Sequence, residues 1–187
     1  TVPRDIVSVN NVSTRIIHDN VGVISISEFT GTVTDDFKKC AEELIKNGAD
    51  RFIIDITNNP VGDTDNVASL LDFILPDGTT ITGADRDGSA KTYKSDVNQF
   101  SYPMTVLVNR NTVCGAELFA AAMKDFGRAS LVGETTYGKA TVQSIFPLSD
   151  GAASFSTMLF TTPSGSSFDV DGIAPDYEIS QRTQVSE

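Results

Sequence analysis

The sequence predicts an α/β fold, a mainly parallel sheet with helical crossovers and β-hairpins attached. Short apolar runs that suit strands alternate with longer stretches of helical periodicity, and two segments break that alternation with tight turns flanked by strand-like arms.

The elements follow in order. In "VGVISIS" (21–27), Val and Ile alternate with small residues as in a strand. "TDDFKKCAEELIKNG" (34–48) reads as a helix opened by Thr34 and closed by Gly48, with Phe37, Cys40 and Leu44 on its apolar face, so Cys40 is expected to be a buried structural thiol. "RFIIDI" (51–56) suits a strand buried on both faces. After the loop "TNNPVGDTD" (57–65), "NVASLLDFIL" (66–75) has helical spacing and stops at Pro76. "TTITGADRDGSAKTYKS" (79–95) forms a hairpin around Asp87-Gly88. "MTVLVN" (104–109) and "ASLVGE" (129–134) are buried strands flanking the helix in "NTVCGAELFAAAMKDFG" (111–127). Its core stripe is Leu118, Phe119, Ala122, Met123 and Phe126, and Gly127 ends it. "ATVQSIFPLSDGAASFSTMLFTT" (140–162) is a second hairpin turning at Ser149, Asp150 and Gly151.

Composition bounds the function. The 187 residues, 40% of them hydrophobic, can bury one substantial core, so the expectation is a single domain over 1–187 with residues 1–20 as a lead-in segment. A net charge of −11 without any run of Lys or Arg argues against nucleic acid as a partner. No stretch approaches the ~20 apolar residues of a membrane span, and the start has no signal-peptide pattern. The first residue is Thr rather than Met, so a fragment or processed form is expected. Cys40, Cys114 and the single His18 cannot assemble a structural zinc site, and no metal or cofactor motif is present.

Two positions could carry chemistry. Cys114 stands where a helix begins, where free N–H groups and the positive end of the helix dipole favour an anion; such a thiol is expected to be acidified, although a buried core thiol fits the same pattern. Lys139 follows a glycine, with Gln143 four residues later at the start of a strand. A lysine brought down in pKa acts as a general base and Gln143 could orient its amine, whereas a solvated surface charge is the plainer reading. His18 as a base for Cys114 and a calcium site from Asp169, Asp171 and Asp176 are weaker alternatives, because neither has supporting spacing.

Three stretches, "VGVISISEFTGTVTDDFKKCAEELIKNGADRFIIDITNNPVG", "VLVNRNTVCGAELFAAAMKDFGRASLVGETTYGKATVQSIFPLSDGAA" and "FTTPSGSSFDVDGIAPDYEI", resemble in order the protease core of the C-terminal processing peptidases, or tail-specific proteases, which are serine peptidases with a Ser-Lys dyad. The resemblance implies a ClpP/crotonase-like α/β core and endopeptidase activity on unfolded or C-terminally exposed polypeptide, without a cofactor. It places the family's lysine base on Lys139, the lysine-orienting glutamine on Gln143 and the nucleophile on Cys114. The oxyanion hole falls to the backbone N–H groups of Gly115 and Val61. It also implies an extracytoplasmic location, in a bacterial envelope or an equivalent compartment, and a PDZ domain in the full-length protein that this chain does not contain.

Two departures bear on activity. The family's Asn-Asn-Pro-Gly-Gly turn reads Asn-Asn-Pro-Val-Gly here, and a β-branched Val61 resists the positive φ that glycine permits; if the hole needs that geometry, it is malformed. The second is a thiol in place of a hydroxyl. Thiol pKa lies below that of lysine, so a thiolate-ammonium pair is one expected ground state, but a thiolate also leaves more readily than an amine. The chain therefore reads as a cysteine-variant endopeptidase, with a catalytically silent peptide-binding module, or an engineered inactive Ser→Cys form of an active serine peptidase, as the alternatives.

Overall fold

The computed structural model describes residues 10–18, 20–96 and 100–179. The first nine residues of the lead-in, and residues 180–187 of the expected domain, lie outside that range.

In chain order, β1 (Val12–Ile17) and β2 (Val21–Ile26) are followed by α1 (Val33–Lys46), β3 (Arg51–Asp55) and α2 (Thr64–Ile74). Next come β4 (Gly78–Asp85), β5 (Ala90–Ser95), β6 (Met104–Val108), α3 (Gly115–Asp125) and β7 (Ser130–Gly133). The chain continues through β8 (Thr141–Leu148), β9 (Gly151–Thr161) and β10 (Tyr177–Glu178). The expected parallel sheet is present as a six-stranded sheet ordered β1-β2-β3-β6-β7-β10, parallel throughout except for β1. Its central strands are the Val-, Ile- and Phe-rich runs, and Ile24, Ile54 and Val106 are fully buried.

Residues 12–17, part of the expected lead-in, instead form β1, antiparallel to β2 from Val12↔Ile26 to Ile17↔Val21. Ser13, Thr14 and Arg15 are exposed, so the strand is held by backbone pairing and lacks the alternation that would have revealed it. Helix α1 begins one residue before Thr34: Thr32 is its N-cap, and its hydroxyl donates to Asp36 (2.6 Å). Helix α2 begins at Thr64, because the Asp63 carboxylate caps it by accepting from the Asp65 N–H (2.8 Å).

The two hairpins are joined, which local periodicity could not reveal. β4 pairs antiparallel with β9 from Thr82↔Thr161 to Asp85↔Met158, giving a second sheet ordered β5-β4-β9-β8. Helices and sheets share one apolar cluster in which Phe29, Phe37, Phe52, Phe119 and Phe168 are fully buried. Burial of each such side chain contributes roughly 1.5–3 kcal/mol. Phe29 also positions the site: its ring packs on Phe119 of α3 (5.3 Å between centroids), while its backbone bonds Val61 and Asp63 across the following loop.

Candidate active site

In open α/β sheets, sites form beyond the carboxyl ends of the strands. Here the loops after β3 and β6 meet there through asparagines. Asn109 Oδ1 accepts from the Asn58 N–H (3.0 Å), and Asn58 Oδ1 accepts from the side chains of Asn109 (3.1 Å) and Asn111 (2.8 Å). The Val113 N–H donates to the Asn59 carbonyl, and the Thr112 hydroxyl to that of Ile56 (3.0 Å). Asn58 has φ 56°, a left-handed conformation that asparagine tolerates better than most residues. These side chains turn two loops into one platform.

Cys114 sits on that platform as the N-cap of α3, with φ 55° and ψ −109°. Positive φ is uncommon for a residue with a Cβ, and such strain concentrates at functional sites. A strained side chain on a strand–turn–helix elbow is the arrangement that presents a nucleophile in other hydrolases. The thiol donates to the Thr141 carbonyl at the start of β8 (3.9 Å).

The two expected oxyanion segments touch. A Cβ on Gly62 would stand 2.7 Å from the Gly115 Cα, and one on Gly115 2.6 Å from the Gly62 Cα, so only glycines allow the approach. Val61 is not among the non-glycine residues with positive φ. The valine therefore carries no left-handed strain, and the turn does not adopt at this position the conformation that a glycine would permit. Its side chain is 46% exposed at the rim. Neither the Gly115 nor the Val61 N–H is taken by a backbone carbonyl among the described residues.

One residue links nucleophile and lysine positions. Glu117, in the first turn of α3, is 0% exposed. Its carboxylate accepts from the Cys114 N–H (2.9 Å), the Thr136 hydroxyl (2.6 Å), the Gly138 N–H (2.6 Å) and the Lys139 N–H (2.9 Å). The sequence signal for Glu117 is a single acid within the otherwise apolar run 115–123. The far side of the lysine turn is held by residues 169–173. Ala140 N–H donates to Asp169 (3.0 Å), Val170 N–H to the Gly138 carbonyl (2.8 Å), and Ile173 N–H to the Thr136 hydroxyl (2.7 Å). Gly138 has φ 90°, and a Cβ there would meet the Val170 carbonyl oxygen at 2.6 Å. Val170 itself has φ 74° while 83% exposed, a costly conformation for a β-branched residue.

The electrostatics correct one expectation. Burial pushes the Cys114 thiol up from its ordinary value; the Lys139 charge and the Gly115 N–H pull it down, the Glu117 carboxylate raises it, and the net shift is upward. The helix-start position is therefore not enough to acidify the thiol, because desolvation of the thiolate outweighs it. Lys139 is half-buried and its charge reaches the sulfur. Gln143 is exposed on β8, and among the described residues no hydrogen bond joins its side chain to Lys139. His18 lies in the β1–β2 turn, at the opposite end of the parallel strands from Cys114. Asp176 is spent elsewhere: burial opposes its ionisation, but the Leu131 N–H and Lys124 outweigh that and hold its carboxyl below the usual range. No group of three potential metal ligands clusters among the described residues.

Comparison with known proteins bears on this arrangement. The profile of Peptidase family S41 matches residues 20–179. The carboxyl-terminal-processing protease of Picosynechococcus sp. is 35% identical over 186 residues, 96% of this chain and 45% of that protein. The carboxy-terminal processing protease CtpB of Bacillus subtilis is 34% identical over 165 residues, 87% of this chain and 34% of that protein. The solved structure of a photosystem II D1 C-terminal processing protease superposes with a TM-score of 0.82 at 27% identity, covering 93% of this chain and 49% of that one. The chain thus spans about a third to a half of the length of these relatives. With the α/β core, the paired loops and the Cys114–Lys139 neighbourhood in one continuous match, the chain belongs to peptidase family S41, alongside the carboxyl-terminal-processing proteases.

Proposed function

We propose that this chain is the protease core of a C-terminal processing endopeptidase acting through Cys114 and Lys139. The observation that carries the reading is the Glu117 carboxylate, which holds the backbone N–H groups of Cys114 and Lys139 together. Because burial raises the thiol, it keeps its proton at neutral pH, so attack needs a base. Lys139, in its neutral amine form, takes that proton as the sulfur adds to the scissile carbonyl. The Gly115 and Val61 N–H groups donate to the oxyanion. The ammonium then protonates the departing amine, leaving a thioester on Cys114. Water, deprotonated by the same amine, hydrolyses the thioester and restores the thiol. The substrate is polypeptide, and the compartment we infer from the family resemblance is extracytoplasmic.

The elevated thiol and the unengaged Gln143 support a second reading, a peptide-binding module without turnover. Iodoacetamide alkylation of Cys114 across pH, with Lys139→Ala and Cys40→Ala controls, is run beside cleavage of an unfolded protein. Cleavage abolished by Lys139→Ala establishes the peptidase. A slow thiol indifferent to Lys139 and no cleavage leave the binding module.

A further inference from the structure

Strand β8 starts at the candidate nucleophile and runs outward as the last strand of its sheet. The Phe160 N–H donates to the Ala140 carbonyl (2.8 Å), so Ala140 faces β9. Successive residues of an antiparallel strand turn their N–H and C=O groups to opposite sides. Thr141, Gln143, Ile145 and Pro147 therefore face away from β9. The alternation is not reset along β8: where the register shifts between Val142 and Gln143, the extra residue, Thr157, is on β9. Two observations agree with this assignment. The Cys114 thiol reaches the Thr141 carbonyl from outside the β8–β9 pair. Pro147, which has no N–H, falls on the outward row, where a proline inside a strand interrupts no ladder.

We propose that the outer edge of β8, from Thr141 to Ile145, is the docking edge for the substrate polypeptide, which adds to this sheet as an extended strand and is thereby brought to Cys114. This rests on the peptidase reading above and deepens it. Among the described residues no strand occupies the edge, and its outward N–H and C=O groups are a ready template for an added strand. Pro147 withholds the next donor and closes the row, so the edge is short and begins at the nucleophile. Main-chain pairing is indifferent to side chains, which suits an enzyme that takes unfolded polypeptide. It also gives Gln143 a use that its exposed side chain does not: its backbone is in the middle of the row.

The test uses fluorescein-labelled, reduced and carboxymethylated α-lactalbumin as an unfolded probe, with binding read by anisotropy. Ile145→Pro removes one outward donor and leaves the β9 pairing intact; we expect about 3- to 10-fold weaker binding, the worth of one hydrogen bond. Ile145→Val, which keeps the donor, binds as the parent does. Unchanged Tm and unchanged Cys114 alkylation by iodoacetamide show that the Pro variant is folded around the site. Amide exchange in the unmodified chain is independent of any variant: saturating probe newly protects Gln143 and Ile145, while Val142 and Ser144 are already protected by β9. Equal binding by a folded Ile145→Pro variant, equal losses with Pro and Val, or no new protection at Gln143 and Ile145 overturns the docking edge. Cleavage of the probe without any of these effects leaves the peptidase reading standing and removes the edge; the effects without cleavage do the reverse.

Discussion

The two ends of β8 are built to opposite rules. At its start, the lysine turn is bonded on both sides, to Glu117 through Thr136, Gly138 and Lys139, and to the 169–173 loop through Gly138, Ala140 and Thr136. Beyond Gln143, among the described residues, the strand pairs with β9 alone. β9 in turn pairs with β4 only over Met158–Thr161, so residues 143–156 project as a two-stranded ribbon. Ile145, Phe146, Leu148 and Phe155 are exposed on it, with Phe146 and Phe155 resting on each other at 5.9 Å. Buried, multiply bonded groups hold geometry, whereas weakly supported segments open and adapt. The contrast teaches where this chain spends its order: on the spacing between Cys114 and Lys139, the proposed nucleophile and base, and not on the surface beyond them.

The largest expected effect breaks the comparison at its chemical end. Lys139→Ala should lower kcat/KM on an unfolded protein substrate by about 10²- to 10⁴-fold, the worth of a positioned general base. Cleavage at parental rate would show that the bonded lysine turn serves stability alone. Next in size is the clamp itself. Glu117→Gln keeps the shape but turns a four-bond acceptor into a group with one acceptor oxygen facing backbone donors. Urea unfolding should report a loss of roughly 2–4 kcal/mol, in the range for leaving buried donors unsatisfied. A loss below 0.5 kcal/mol, of the order of an ordinary surface change, would mean that water replaces the carboxylate and that the two loops are held by the asparagines.

How far the sequence could be read follows the same division. The central strands, the three helices and both hairpins were legible because each shows its own period or turn. Strand β1 was not, since exposed Ser13, Thr14 and Arg15 give it no alternation, and neither was the β4–β9 junction, a long-range pairing no local pattern encodes. At the site, the resemblance pointed to Cys114 and Lys139, and in the structure one carboxylate, Glu117, accepts from the backbone N–H of both. The upward shift of the thiol was not legible, because burial depends on the packing of segments far apart in sequence. Nor was the Glu117 clamp: its partners Cys114, Thr136, Gly138 and Lys139 belong to two separate loops.

A smaller effect sharpens the electrostatic half of the comparison. The folded Cys114 thiol holds its proton more tightly than a free thiol, so its alkylation curve should be displaced to higher pH. By linkage, the corresponding stability is present in full below the free-thiol pKa of ~8.5 and is lost as pH rises through the raised value. Lys139→Ala should move the curve further up, because the ammonium now pulls it down, and Glu117→Gln should move it down. A curve at or below the free-thiol position would mean that the ammonium and the N–H groups offset or outweigh burial, and only a curve displaced below neutral pH would make the thiolate the ground state.

The smallest effect is expected on the ribbon. Phe146 and Phe155 touch each other but lie outside the core cluster, and each keeps about half of its surface in water, 46% and 59% exposed. Replacing both with Ser removes one ring–ring contact worth about 0.5–1.5 kcal/mol in a buried setting, and less where water already reaches both rings. Unfolding stability should therefore change by no more than about 0.5 kcal/mol, and the pH curve of Cys114 alkylation should not move. A shift of that curve would carry more meaning than a loss of stability. Among the described residues the thiol's hydrogen bond to this hairpin goes to Thr141, ahead of the ribbon, so a shift would require the ribbon to move the start of β8, and the two ends would then be one mechanical unit.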